Sequence, residues 1–385
     1  MIVGDATGAD STTPRGRDHP PLPCAARYGR ALHWRTPTVR DGLQLARGRI
    51  AGPSTTIMSI RIVFAVMSAT QQGATVAQLA NALAPHTVLI HHDFTKKKDF
   101  RVDCPNVRFV PNPTVTGWGS WGLSRGIFHT IEHALRTLDF DYLHLLSPTC
   151  LPIRPLSELE ASIACSKVDI HADMFEVERD EQSLMNFGCR AYAYGDSLKY
   201  RALGRLRKHY FGPDAILEQT CSLSMWRRSP EREARGRSVL DRIALGATQA
   251  AARGWLGANP FSQTFRPMIG SLWIGMSHRV CEYLMRIRHS DPVSDYFAHL
   301  KIVDEMLFPT LLANSPFKVG PALHAVNDFD PYGSPYWIKD TDLDRIFATG
   351  RFLARKFPDD PSASVRLRAL ERAAAVRRVP EPVSA

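Results

Sequence analysis

Ser59-Ile60-Arg61-Ile62-Val63-Phe64-Ala65-Val66-Met67 is an apolar run long enough for one buried strand. Gln71 to Ala84 follows, with Val76, Leu79, Ala80 and Leu83 at helical spacing, and then Thr87-Val88-Leu89-Ile90-His91 reads as a second strand. Strand, helix, strand is a βαβ unit. The alternation continues with a short third strand at Val107-Arg108-Phe109-Val110, a helix over Leu123 to Leu138, and a fourth strand at Tyr142-Leu143-His144-Leu145-Leu146 that stops at Ser147-Pro148. This order predicts an α/β chain with a mostly parallel sheet and helices on both faces. Ligands of such sheets sit beyond the carboxyl ends of the strands, which directs attention to His91-His92-Asp93 and to Ser147 through Pro152.

Working outward, residues 157–250 are less regular and read as part of the same domain, with loops. They hold a basic stretch from Lys199 to Lys208, Tyr210-Phe211 and Arg227-Arg228. A second block predicts a strand over Ser271 to Met276 and helices over Arg279 to Arg286 and Asp304 to Leu312. A basic amphipathic helix over Ser362 to Val376 is expected at the periphery, within a tail of residues 361–385. Residues 1–57 are rich in Gly and Pro, with eight arginines and no lysine, and are expected to be a disordered leader, with Met58 a candidate true start.

The chain has 385 residues, 44% hydrophobic, with 48 Lys+Arg against 38 Asp+Glu and a formal net charge of +10. That is a globular composition. No apolar run approaches the roughly 18–20 residues of a membrane-spanning helix, and no compact apolar secretory signal opens the chain. The seven cysteines are scattered without a C-x-x-C pair, which sets aside a disulfide scaffold or zinc ribbon and points to reduced thiols in a cytoplasm. Nucleic acid is not expected, because no zinc finger, ribonucleoprotein motif or dense basic helix accompanies the modest positive charge. Anionic small substrates or a membrane surface fit it equally well.

Three short patterns are weighed against bland readings. Gly117-Trp-Gly-Ser-Trp-Gly122 satisfies G-x-G-x-x-G, but it does not follow the first strand, and two tryptophans would crowd a pyrophosphate. His129-Thr-Ile-Glu132-His133 has the H-x-x-E-H order of a class of zinc peptidases, yet these side chains lie away from the apolar face Ile127, Ile131, Ala134, Leu138, where a solvated helix face explains them. Asp139-Phe140-Asp141 spells the D-x-D that holds Mn²⁺ in metal-dependent glycosyltransferases. It precedes its strand where a ligand-facing motif should follow it, so it reads as the turn into the strand.

A longer pattern is more specific. Trp118-Gly119, Asp139 to Ser147, Leu151-Pro-Ile-Arg-Pro155, Gly270-Ser271-Leu-Trp273, Val303-Asp304-Glu305-Met-Leu-Phe308 and Phe352-Leu-Ala-Arg355-Lys356-Phe357 occur in that order. Together they resemble the Core-2/I-branching β-1,6-N-acetylglucosaminyltransferase family, glycosyltransferase family 14, which includes the xylosyltransferases. The resemblance runs from about Ile60 to Phe357. It implies a single GT-A-like catalytic domain, placed at residues 58–360, and inverting transfer of a GlcNAc- or xylose-type sugar from a UDP-sugar to a saccharide or glycoconjugate, with no divalent metal and no other cofactor.

By that resemblance Glu305 is the base, Lys356 with Arg355 meets the diphosphate charge, and Trp273, Ser271 and Asp304 lie on the acceptor side. Ser147 and Asp93 are further candidates on the donor side, Asp93 being equally readable as a turn cap. The second basic residue of some relatives has no clear counterpart; Lys339 is the nearest cation. Cys150 stands where many relatives carry Asp. A cytoplasmic enzyme is expected, at the inner face of a membrane if the basic stretch holds it there. Two alternatives stay open: an inactive glycan- or nucleotide-binding protein, and a zinc hydrolase on His129, Glu132 and His133.

Overall fold

The computed structural model describes residues 60–375 apart from 178–179, 193–197, 221–222, 251–259, 289–290, 299 and 331–332; the expected leader lies outside them. The first half forms β1 (Ile62–Ser68), α1 (Gly73–Ala82), β2 (Thr87–His92), β3 (Val107–Phe109), α2 (Trp121–Thr137) and β4 (Tyr142–Leu146). β1 pairs parallel with β2 on one side and β4 on the other, and β2 pairs parallel with β3. Successive side chains of a strand point to opposite faces, and here both faces are buried. Val63, Ala65, Leu89, Leu143 and Leu145 enter one core with Ile127 and Ile131 of α2, while Ile62, Phe64, Val66, Val88, Ile90 and Leu146 enter another with Val76 and Leu79 of α1. That double burial explains why these strands read as continuous apolar runs.

β5 (Leu151–Pro152), α3 (Leu156–Ala164), β6 (Ile170–His171) and β7 (Met174–Glu176) come next. The stretch read as less regular, with loops, holds several regular elements. It contains α4 (Glu181–Tyr192), α5 (Leu198–Phe211), an antiparallel hairpin of β8 (Ile216–Thr220) and β9 (Leu223–Arg227), α6 (Pro230–Ala234) and α7 (Val239–Ala250). Its small core, Met185, Tyr210, Phe211 and Ala244, is thin in aliphatic residues, so the sequence shows little helical period there.

The strand expected over Ser271 to Met276 is two strands, β10 (Met268–Gly270) and β11 (Gly275–Ser277). The Ser271 amide continues the pairing with β7 by donating to the Asp173 carbonyl at 2.9 Å, and Ile274 then turns back on the Leu272 carbonyl at 2.8 Å. This kink moves the chain from β7 to β4, and the apolar run hides it. α8 (His278–Ile287), α9 (Asp291–Ala298), α10 (Asp304–Ala313), β12 (Val319–Gly320), β13 (His324–Val326), α11 (Leu343–Ala348), β14 (Leu353–Arg355) and α12 (Ser364–Ala374) complete the described strands and α-helices.

The main sheet has seven strands in the order β12-β6-β11-β4-β1-β2-β3, and only β11 runs against the others. A mostly parallel sheet covered by helices on both faces is a mixed α/β fold of GT-A-like type. A smaller sheet, β13-β14-β5, stands beside the end of β4. The amphipathic helix expected at the periphery, α12, buries Val365, Arg366 and Ala369 on one face and exposes Leu367, Arg368 and Glu371 on the other. The Arg366 guanidinium reaches the Gln78 side chain at 2.6 Å and the Pro358 carbonyl at 3.0 Å. Its amphipathic pattern is real, but an arginine lies on the inward side.

Candidate functional site

The strand order reverses between β1 and β4, and crevices at such switch points accept ligands in open α/β sheets. One segment lies across this one. The Phe357 amide donates to the Thr149 carbonyl at 2.9 Å, just beyond β4. The Gln72 amide, just beyond β1, donates to the Asp359 carboxylate at 3.1 Å, and the Gln72 side-chain amide donates to the Asp359 carbonyl at 3.0 Å. Upstream, the Arg355 carbonyl accepts from the Asn327 amide at 3.0 Å and the Lys356 carbonyl from the Ile338 amide at 2.8 Å. Arg355 and Lys356 are thereby fixed at the carboxyl end of the sheet.

The Arg355 guanidinium lies 4.4 Å from the centre of the Trp273 ring. Its Nε is enclosed without a hydrogen-bond partner. Burial lowers its pKa below the ordinary arginine value, while the Cys150 thiol and the Glu305 carboxylate act in the opposite sense. Glu305, Arg355, Trp273 and Cys150 therefore share one electrostatic neighbourhood. Lys356 is half-buried, with its ammonium 4.1 Å from the centre of the Trp337 ring. Burial first and the Arg355 charge second lower its pKa, against the pull of Asp330. Two cations held side by side at the mouth of a sheet, each on an indole face, suit an anion that spreads charge over several oxygens.

The turn after β4 is ordered from within. Ser147 Oγ lies 2.9 Å from Thr149 Oγ1 and 3.2 Å from Cys150 Sγ. Cys150 Sγ is 3.2 Å from His324 Nε2, and His324 Nδ1 is 3.3 Å from His144 Nε2, the two imidazoles stacked at 5.6 Å. Burial drives the His324 pKa well below the ordinary value and that of His144 to about 3, so both rings are neutral. Burial likewise raises the Cys150 thiol. Where a metal-binding carboxylate would stand, the chain places an uncharged network.

Glu305 lies in the first turn of α10, next to buried Asp304. The loop feeding this helix packs on the Trp118-Gly119 motif: the Ile302 amide donates to the Gly119 carbonyl at 2.7 Å. Gly119 has φ of +62°, and a Cβ there would come 3.2 Å from the Ile302 amide nitrogen, so the position suits glycine alone. Ile302 itself has φ of 54°, a rare value for a β-branched residue. Trp118 is 79% exposed, with the Lys301 ammonium 5.9 Å from its ring centre. Ser271 fixes Trp273 by accepting its amide at 3.3 Å.

Glu305, Arg355, Lys356, Trp273 with its anchor Ser271, and Ser147 are thus gathered at one end of the sheet. Asp93 has other work. It is buried, and its two oxygens accept from the Thr95 amide at 3.0 Å and hydroxyl at 2.5 Å, and from the Thr116 amide at 2.8 Å and hydroxyl at 3.0 Å. A carboxylate has about four lone-pair sites, so the turn-cap reading fits Asp93 and the donor contact does not. Lys339 is exposed, one residue beyond Ile338 and so close in backbone to Lys356.

The zinc-peptidase pattern is not assembled. Glu132 pairs with Arg288 at 3.0 Å, His129 stands edge-on to His91 at 5.9 Å, and no group of three or more His, Cys, Asp or Glu suited to a metal occurs among the described residues. The D-x-D pair is engaged at the opposite end of the sheet, where Arg61 bonds Asp139 and Asp141. Sequence reading missed Trp337 and His324. Both act through contacts distant along the chain, although an exposed tryptophan beside Tyr336 in a polar loop was a usable signal.

Residues 75–186 match the family model described as Core-2/I-Branching enzyme, a glycosyltransferase family, which bears out the resemblance over that segment. The match covers α1 through the turn after β4 and on into α4. No curated protein sequence matches the chain. No helix among the described residues is long and apolar enough to cross a membrane.

Proposed function

We propose that this glycosyltransferase-like chain transfers a GlcNAc- or xylose-type sugar from a UDP-sugar to a hydroxyl of a saccharide or glycoconjugate, with inversion and without a divalent metal, at the inner face of a membrane. The observation that carries the reading is the grouping of one carboxylate, Glu305, with two cations, Arg355 and Lys356, at the switch point of the sheet. In the displacement, the acceptor oxygen forms a bond to the anomeric carbon as the bond from that carbon to the diphosphate oxygen breaks. Glu305 takes the acceptor proton, and UDP leaves with the electron pair. Inversion needs only this one displacement, so a single carboxylate suffices.

Charge develops on the departing diphosphate, and preorganised cations in a partly dry site stabilise it. Lys356 supplies that charge and Arg355 supports it from beneath, with Lys339 the candidate for a further cation. Trp273, set by Ser271, and Trp337 offer indole faces to sugar or uracil rings. Asp304 and Trp118 lie on the acceptor side of Glu305.

The test is UDP release from a panel of UDP-sugars in the presence of EDTA, comparing the wild type with Glu305→Gln. Release that survives the chelator, selects one sugar and falls at least ~100-fold in the variant fits a general base. UDP binding without turnover on any donor and acceptor mixture would leave a binding protein in its place.

A further inference from the structure

We infer that α5 and α7 form a docking surface for an anionic lipid bilayer, which gives the membrane-associated reading above a definite face of the molecule. α7 is turned inside out for a surface helix. Val239 (63% exposed) and Ile243 (51%) lie on one outward row, Gly246 and exposed Ala250 extend it at helical spacing, and Leu240 (50%) flanks it. The inward row is Asp241, Ala244 and Thr248.

The cause is a buried charge cluster. Asp241 is 2% exposed and accepts from the Ser238 amide at 2.9 Å. Its carboxylate lies 3.5 Å from Arg228 and from Arg232, and 3.7 Å from His209 of α5. Filling the interior with this network leaves the aliphatic side chains facing out.

α5 packs against α7 and presents a different row. Leu198, Arg201, Ala202, Arg205, Lys208 and His209 are all exposed at the spacing of one helix face. Arg235 and Arg242 add exposed cations next to and within α7. Residues 198–250 hold eleven Lys/Arg against five Asp/Glu, so six of the ten net positive charges sit in about a seventh of the chain. Four of the five acids are engaged internally: Asp241 as above, Glu218 with Arg227 at 2.6 Å, Glu233 with Arg237 at 2.7 Å, and Asp214 with the Ser229 hydroxyl.

The occupant follows from this chemistry. Exposed aliphatic side chains beside exposed arginines and lysine match the boundary between acyl chains and anionic headgroups. A protein partner would more often be met by buried aromatic anchors, and none of the outward residues on α7 is aromatic.

Cosedimentation of the full chain with vesicles of phosphatidylcholine alone, or mixed with phosphatidylglycerol, at low and high salt, tests the proposal. Binding is expected only with phosphatidylglycerol, weakening with salt. The triple variant Arg201→Gln, Arg205→Gln, Lys208→Gln should lose at least ~30-fold in partition, from several-fold per cation. Val239→Ser with Ile243→Ser should remove the part of the binding that resists salt. Both variants should keep wild-type UDP release on a soluble acceptor, so an inactive wild type would count against the transferase reading and leave the vesicle result standing. Equal binding to neutral vesicles, no binding to anionic ones, or self-association that the serine variants abolish would each overturn the proposal.

Discussion

The Phe357 amide donates to the Thr149 carbonyl at 2.9 Å, joining the segment that carries Lys356 to the turn that ends the central strand β4. Residues 208 positions apart in the chain thus meet through backbone atoms, so the placement of the Lys356 main chain does not rest on its own side chain. The Gln72 bonds to Asp359 do the same from β1. The position of the backbone that carries the cation is a property of the sheet's strand order.

Lys356→Ala is expected to lower kcat for sugar transfer about 10²–10³-fold, the scale of losing one preorganised donor to a developing oxyanion. The melting temperature should change little, because the bonds that fix this segment are made by the backbone. Steady-state kinetics beside a thermal melt check both halves; retained turnover would remove Lys356 from the chemistry.

Trp337→Leu should act differently. The indole under the Lys356 ammonium holds it by a cation–π attraction of about 0.5–2 kcal/mol, already made before donor binds, so its removal costs pre-organisation of the cation equally for bound donor and transition state. UDP affinity measured by calorimetry should fall by at most about 2- to 30-fold, with kcat close to wild type. A large loss of kcat with unchanged affinity would mean that the ring positions the cation for chemistry alone.

The strands β1, β2 and β4 and the helix α10 were legible as continuous apolar runs, and the helices α1, α2 and α8 by apolar residues at helical spacing. The kink at Ser271 to Ile274 was not, since every residue there is buried or half-buried and a turn inside an apolar run leaves no polar signature. The helices of residues 181–250 were obscured by charges that pair inside the structure, such as Arg228 with Asp241. Glu305 and Lys356 were found through local motifs, whereas Trp337, 19 residues from Lys356, becomes part of the site only when the Ile338 amide meets the Lys356 carbonyl.

Asp93→Ala should cost stability rather than donor affinity. Four acceptor bonds to Thr95 and Thr116 tie the end of β2 to the segment before α2, and losing bonds to a buried charge costs about 1.5–3 kcal/mol apiece before relaxation. A net loss of about 2–4 kcal/mol in urea unfolding is expected, with UDP affinity of the folded protein unchanged. Weakened UDP binding at full stability would return Asp93 to the donor site.

The buried histidines predict an acid-sensitive fold, and four of them carry the largest shifts. Burial lowers the pKa of His91 to about 4, of His144 to about 3 and of His171 to about 4, and lowers that of His324 well below its ordinary 6.5. The folded chain keeps these rings neutral while the unfolded chain protonates them below about pH 6.5, so the unfolded state binds more protons and stability must fall as the pH drops. Each histidine contributes a slope of about 1.4 kcal/mol per pH unit between pH 6.5 and its folded value, or about 5 kcal/mol per unit for these four together, with His92 adding in the same direction. Urea unfolding from pH 8 to pH 5 should show a plateau above neutrality and a steep decline beneath it. His171→Gln, which keeps an amide within reach of the Tyr142 hydroxyl that now lies 2.7 Å from His171 Nδ1, should reduce the decline by about a quarter. A flat profile to pH 5 would mean that these rings accept protons inside the folded protein, and the neutral Cys150–His324–His144 network beneath the site would have to be redrawn as a charged one.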